Sequence, residues 1–455
     1  MAAGRALENT IAVLAVAAGG YFAWQRLHPE PPKPAPPPPA AAPPTTPLAG
    51  PAPSPSMPAP PSLEPVREPA GLPSADVASA QSLAARVNRL EMLFSADQRT
   101  AEDLYGRYPA EPRLRDLLEA TLVRLATQDQ VLRQYPEATT RLRRAIQIHP
   151  ESLPPRQALV MVLLESSDWP AAEVAAREAL ALAPRNADLL EAYALALFRQ
   201  DRNREAAEAF RAVLEVRDSP VAKGFLARIE KNARDEGGMT EQRLSRFHVR
   251  YDGAEHEDVG REILRALERH YATLASAMDH QVREPVPVIL FSNESYYDAA
   301  GAPRWSGGVF DHTDGRIRVP IQGLTRDLTP DMDATLIHEL THAFVFDIAG
   351  GIVPRDVNEG FAQWMEGKRL DSLVDADTRR ALADGRLGGV YGFYFTALAF
   401  VEDLVALRGA GGVNDLLRAI GESDDVDAAF QQVYGQDYRG TQQAFYQRLR
   451  RRYGS

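Results

Sequence analysis

Ala334-Thr335-Leu336-Ile337-His338-Glu339-Leu340-Thr341-His342-Ala343-Phe344-Val345 is the stretch on which the reading of this chain turns. Two histidines four residues apart on a helix lie one above the other on a single face, so both imidazoles can reach one metal ion. The glutamate after the first histidine projects near that ion without being a ligand, where it can take a proton from water. The flanks favour a helix. Thr329-Pro330-Asp331 offers a capping hydroxyl, a first-turn proline and a carboxylate at the positive end. Leu336, Ile337, Leu340, Phe344 and Val345 provide apolar positions for burial. A buried helix with two satisfied histidines is the plainer alternative.

Downstream, Val357-Asn358-Glu359-Gly360-Phe361-Ala362-Gln363-Trp364 predicts a second helix, with Glu359 seventeen residues after His342. Two imidazoles and one carboxylate leave a fourth tetrahedral position open, the arrangement of catalytic rather than structural zinc. A different divalent ion is the other option, because these ligand types do not select zinc strictly.

His338-Glu339-Leu340-Thr341-His342 followed by Asn358-Glu359-Gly360-Phe361-Ala362-Gln363-Trp364 resembles the gluzincin metallopeptidases, in particular the peptidase-MA-like families. The likeness covers roughly residues 247–451. It implies zinc held by His338, His342 and Glu359, with Glu339 as general base. These families usually place an acid four residues after the third ligand, to steer a ligating histidine. Here that position is Gln363, whose amide accepts a hydrogen bond without supplying charge. Gln363, Asn358 and Asp347 are the residues expected around the ligands. Relatives also carry a tyrosine six residues before a Phe-Val pair. Tyr394 before Phe400-Val401 matches, implying a hydrogen-bond donor for a developing oxyanion; an aromatic core residue among Tyr391, Phe393 and Phe395 is the competing reading. His312 reads as a turn residue.

The remainder of the chain supplies context. At 455 residues and 45% apolar content it is long enough for two or three domains with proper cores. A net charge of −11 argues against nucleic acid as a partner. The Arg141–Arg144 and Arg448–Arg452 runs read as solvated helix faces. The absence of cysteine rules out disulfides and thiolate-bound zinc.

Residues 1–28 contain an uncharged, mostly apolar run from Ile11 to Trp24, between Arg5 and Arg26. It predicts either a single-pass signal-anchor crossing the membrane at residues 10–25 or a cleaved signal peptide. Both place the body outside the cytoplasm, in a periplasmic or similar compartment. Residues 29–74 hold about twenty of the 35 prolines and form a Pro/Ala-rich linker that cannot build a core. Fully extended, it reaches on the order of 140 Å at 3.1 Å per residue.

Residues 75–236 read as helical. The segments 151–184 and 185–218 align, with Leu159 on Tyr193, Leu163 on Leu197, Ala172 on Ala206 and Leu180 on Leu214. This pattern resembles tetratricopeptide repeats, whose helix pairs stack into a solenoid. The repeats either recruit a protein partner or substrate, or act as a spacer. Residues 237–455 begin at the Gly237-Gly238 pair and predict strand, helix, strand, hairpin and metal helix, then a helical lobe. The expected architecture is therefore an all-α repeat domain followed by an α+β zincin-like domain. The expected function is a membrane-anchored zinc peptidase acting on peptides or proteins. The alternative is a tethered scaffold with a degenerate, non-catalytic zincin domain.

Overall fold

Prolines at the first or second position open five helices of the N-terminal half: Pro112, Pro136, Pro154, Pro170 and Pro220. A missing N–H costs nothing there, and the fixed φ suits the helix. The computed structural model describes residues 72–244, 246–251, 257–292, 296, 307–321, 328–350 and 353–454. The apolar run at 10–25 and nearly all of the proline-rich linker lie outside these residues. Nine helices are described up to residue 235: α1 (Ser74–Asn88), α2 (Ser95–Arg107), α3 (Pro112–Val131), α4 (Tyr135–Ile148), α5 (Pro154–Glu165), α6 (Trp169–Leu182), α7 (Ala187–Arg199), α8 (Asn203–Val216) and α9 (Pro220–Asp235).

From α2 to α8 each helix packs on the next or next but one. The helices α4, α6 and α8 begin at Tyr135, Trp169 and Asn203, in successive steps of 34 residues. Two residues before each start sits a left-handed residue, Arg133, Ser167 or Asp201, with φ between 56° and 58°. Backbone geometry thus repeats with the period of the sequence alignment. Small residues at Ala138, Ala172 and Ala206 are fully buried where the helices approach.

The chain divides into two units between Glu230 and Lys231. The C-terminal unit carries a five-stranded mixed sheet of order β1-β2-β3-β5-β4, built from β1 (Thr240–Arg243), β2 (Phe247–Tyr251), β3 (Val286–Phe291), β4 (Val309–Asp311) and β5 (Arg316–Pro320). The β2–β3 and β3–β5 pairs are parallel, whereas β1 and β4 run antiparallel to their neighbours. Pro320 ends β5, an inner strand, and the Ile321 N–H that follows it donates to the Phe291 carbonyl at 2.8 Å. One face of the sheet packs on α10 (Glu257–Met278) and α11 (Pro330–Ala349), with Phe247, Val249, Ile317, Val319, Leu336 and Phe344 in one core.

On β5, Arg316 and Arg318 alternate with the apolar residues and are nevertheless buried. Arg318 donates to Asp314 at 2.5 Å and to Asn232 at 3.1 Å, and Arg316 pairs with Glu236. Pairing offsets the cost of taking these charges out of water.

The rest is helical: α12 (Arg355–Met365), α13 (Leu370–Leu373), α14 (Ala376–Ala383), α15 (Gly389–Ser423), α16 (Val426–Tyr434) and α17 (Tyr438–Tyr453). Among the described residues α15 is long and apolar enough to cross a membrane. However, Phe395, Leu398, Phe400, Val401 and Leu404 are buried in the core of this unit, and Gly409 interrupts the helix at φ 72°.

Candidate metal centre

Thr329 caps α11, its hydroxyl accepting from the Met332 N–H, and Pro330 occupies the first turn. The helix presents His338 and His342 on one face, ring centroids 4.9 Å apart. The second helix, α12, reaches them by a close crossing over α15. A β-carbon on Gly360 would stand 2.1 Å from the Ala397 carbonyl oxygen, so only glycine fits beside Glu359. That crossing sets both Glu359 and Tyr394 at the site.

His338, His342 and Glu359 offer ligand atoms that all lie within 4.8 Å of one another. Glu359 Oε2 is 3.6 Å from His338 Nε2 and 3.7 Å from His342 Nε2. Two zinc–ligand bonds of about 2.0–2.1 Å at a tetrahedral angle set donor atoms roughly 3.4 Å apart, close to both Glu359–histidine separations.

The outer nitrogens are both engaged. His338 Nδ1 lies 3.1 Å from Glu366 Oε2, and His342 Nδ1 lies 2.9 Å from Asn358 Oδ1. Donation from Nδ1 to these acceptors fixes the tautomer that leaves each Nε2 lone pair for a metal. Glu366 is itself held by Lys368, Nζ to Oε1 2.7 Å.

The expected surroundings are therefore met at Asn358 and corrected at two positions. Gln363 does not face an imidazole; its amide donates to the Glu359 carbonyl at 3.2 Å and the Tyr394 carbonyl at 3.0 Å, tying α12 to α15. Asp347 lies one turn too far along α11 and bonds His280 at 2.6 Å. Glu366, seven residues after Glu359, takes the steering position. Seven residues are two helical turns, so the spacing was a readable signal that the four-residue rule bypasses.

Glu339 is buried under the edge strand. The Phe310 N–H donates to its Oε2 at 2.7 Å, and a β-carbon on Gly308 would stand 3.0 Å from its Cγ and 2.8 Å from Thr335 Cγ2. Burial, together with the Glu359 carboxylate, pushes the Glu339 pKa up to about 7 against the pull of His338. Glu359 is held down at about 2, because the histidines outweigh the cost of burial. Burial opposes charge on His338, yet Glu359 and Glu366 outweigh it and hold its pKa up at about 10. His342 is lowered, burial being the main cause. These are the properties of the protein without a metal.

Tyr394 is close enough to Glu359 and Glu339 to feel their charge, and the Arg355 guanidinium, which nothing in the sequence singled out, acts on it in the opposite sense. Burial carries the phenol to about 12, so it stays a donor at neutral pH. The Arg355 guanidinium lies over the Phe393 ring, 4.6 Å from its centroid. His312 sits in the turn after β4, ring against Phe310 and Phe346, as a turn residue.

No protein-family model matches the chain, and no curated protein matches it.

Proposed function

We propose that the C-terminal unit is a zinc-dependent peptidase of the gluzincin kind. In the same reading the preceding helices are tetratricopeptide-like repeats recruiting a protein partner or substrate, and residues 10–25 tether the chain so that its body lies outside the cytoplasm. One observation carries the enzymatic part: two imidazoles and a carboxylate from separate helices converge with their outer partners in place.

His338, His342 and Glu359 would hold the ion. Zinc bound there supplies Lewis-acid polarisation of a peptide carbonyl and makes a water acidic enough to be deprotonated at neutral pH. Glu339, buried beside the ligands, would accept a proton from the attacking water and return it to the leaving amine. The Phe310 N–H and the tight fit of Gly308 keep that carboxylate in one position. Tyr394, protonated at neutral pH, would donate to an oxyanion. β4 is an edge strand of the described sheet, so an extended peptide can add to it through main-chain hydrogen bonds.

The test is metal analysis and peptide hydrolysis on the wild type and Glu339→Gln. Stoichiometric zinc in both, with hydrolysis in the wild type alone, is the expected result. No zinc uptake by either would favour the scaffold reading; undiminished hydrolysis by the variant would remove Glu339 as base.

A further inference from the structure

Helix α1 ends with Leu90 in the left-handed region, φ 56°, at the position where a helix terminus usually carries glycine or asparagine. A branched side chain is strained there and gains nothing from burial, because this leucine points to solvent. It is not alone. Leu90, Met92 and Phe94 in the α1–α2 loop, and Val131 and Leu132 at the end of α3, are all between 53% and 78% exposed.

The two segments form one tip. The Leu93 N–H donates to Gln128 Oε1 at 3.1 Å, Gln128 Nε2 donates back to the Leu93 carbonyl at 3.0 Å, and Arg124 donates to the Leu90 carbonyl at 2.5 Å. Leu93 points inward and is buried, so the loop is fastened by its backbone and one side chain while its other apolar residues face out. A fixed tip of this kind presents its apolar area with little further entropy to lose on docking.

We propose that this tip docks on the surface of an anionic lipid bilayer. Two features select lipid. Arginines 86, 89, 124 and 133 frame the tip, in a chain whose net charge is −11. The carboxylates among them are Glu91, Asp97 and, beside Arg133, Glu165; the first two are paired with Arg86 or Arg89. Aliphatic and aromatic tips ringed by guanidinium groups match the boundary between acyl chains and anionic headgroups, where arginine stems lie along apolar matter and their charges reach phosphate. Second, the chain enters α1 at Ser74 directly from the proline-rich linker that follows the apolar run at Ile11–Trp24. If that run is in a membrane, the linker keeps the tip at high effective concentration beside the same surface, and a weak contact suffices. The inference depends on the tethering part of the proposed function for that proximity and not at all on the metal site.

The chain has no cysteine, so single probes are clean. The full chain carrying Met92→Cys, Val131→Cys or, as a remote exposed control on α8, Glu208→Cys is labelled with an environment-sensitive dye. Each is reconstituted in phosphatidylcholine vesicles with or without phosphatidylglycerol, containing a nitroxide-labelled lipid. At positions 92 and 131 the expected result is a blue shift and strong nitroxide quenching, greater with phosphatidylglycerol and reversed by Phe94→Asp with Leu132→Asp. Position 208 should show neither. Equal aqueous accessibility at all three positions would overturn the proposal. So would a shift at 92 and 131 that appears without lipid and grows with protein concentration, since a second copy would then be the occupant.

Discussion

Replacing Glu366 tests the arrangement around His338 most sharply, because two consequences of opposite sign follow from one contact. The carboxylate lies 3.1 Å from His338 Nδ1 and is fixed from its other side by Lys368. Losing a steering carboxylate of this type typically costs 10–100-fold in metal affinity, about 1.4–2.7 kcal/mol. Against this stands the proton. Without metal, His338 titrates at about 10 under the joint influence of Glu359 and Glu366. An ion binding at pH 7 must displace that proton, at a cost of about 4 kcal/mol. Removing Glu366 weakens the hold on the proton and so returns part of the loss, but only where His338 would otherwise be protonated. Glu366→Gln, which keeps an acceptor and drops the charge, should therefore weaken zinc binding roughly tenfold above pH 10, where His338 has lost its proton, and Glu366→Ala by up to about a hundredfold. Both gaps should narrow toward pH 6. Competition against a chromophoric chelator across that range, with calorimetry at each end, measures them. Wild-type affinity in both variants above pH 10 would show that the Nδ1 contact does not govern the site.

The same titration predicts that zinc uptake at pH 7–8 releases about one proton from His338, and that affinity rises about tenfold per pH unit until that group has lost its proton; calorimetry in buffers of different ionisation enthalpy counts the proton. The sign follows from a raised pKa in the metal-free state: low pH favours the protonated, metal-free protein. Gly308→Ala forces a methyl group to within 3.0 Å of Glu339 Cγ and 2.8 Å of Thr335 Cγ2. It should cost about 1–3 kcal/mol in thermal stability and more than tenfold in peptide turnover, with zinc content retained. Gln363→Leu leaves the Glu359 and Tyr394 carbonyls without their amide donor. Chemical denaturation should show a loss of about 1–3 kcal/mol, while zinc affinity above pH 10 changes far less than in Glu366→Ala.

Most of the architecture was legible because it rests on local rules. Prolines and caps marked helix starts, and the 34-residue alignment reappears in the starts of α4, α6 and α8. The run Val286–Phe291 is an inner parallel strand, the context in which continuous apolar sequence is expected. What escaped lacked local signal. β1, Thr240–Arg243, is polar and mostly exposed and exists only by pairing with β2. Arg316 and Arg318 look like a solvated face until Asn232 and Glu236, some eighty residues earlier, are brought over them.

The ligand set was readable for a similar reason: its spacing is helical, and helical spacing survives in sequence. Of its outer partners Asn358 was expected, whereas the choice of 366 over 363 depends on how α12 crosses its neighbours. Positions 363 and 366 both lie within reach of the face that carries Glu359. The crossing at Gly360 turns position 363 onto the Tyr394 carbonyl, a place for an amide and a costly one for a carboxylate. Position 366, where α12 ends, lies beside both His338 and Lys368. There two cationic partners outweigh burial and hold the acid below its usual range. A glutamine at 363 therefore does not leave the imidazole without a carboxylate: Glu366, one turn along, lies 3.1 Å from His338 Nδ1 at the place where Lys368 can neutralise it.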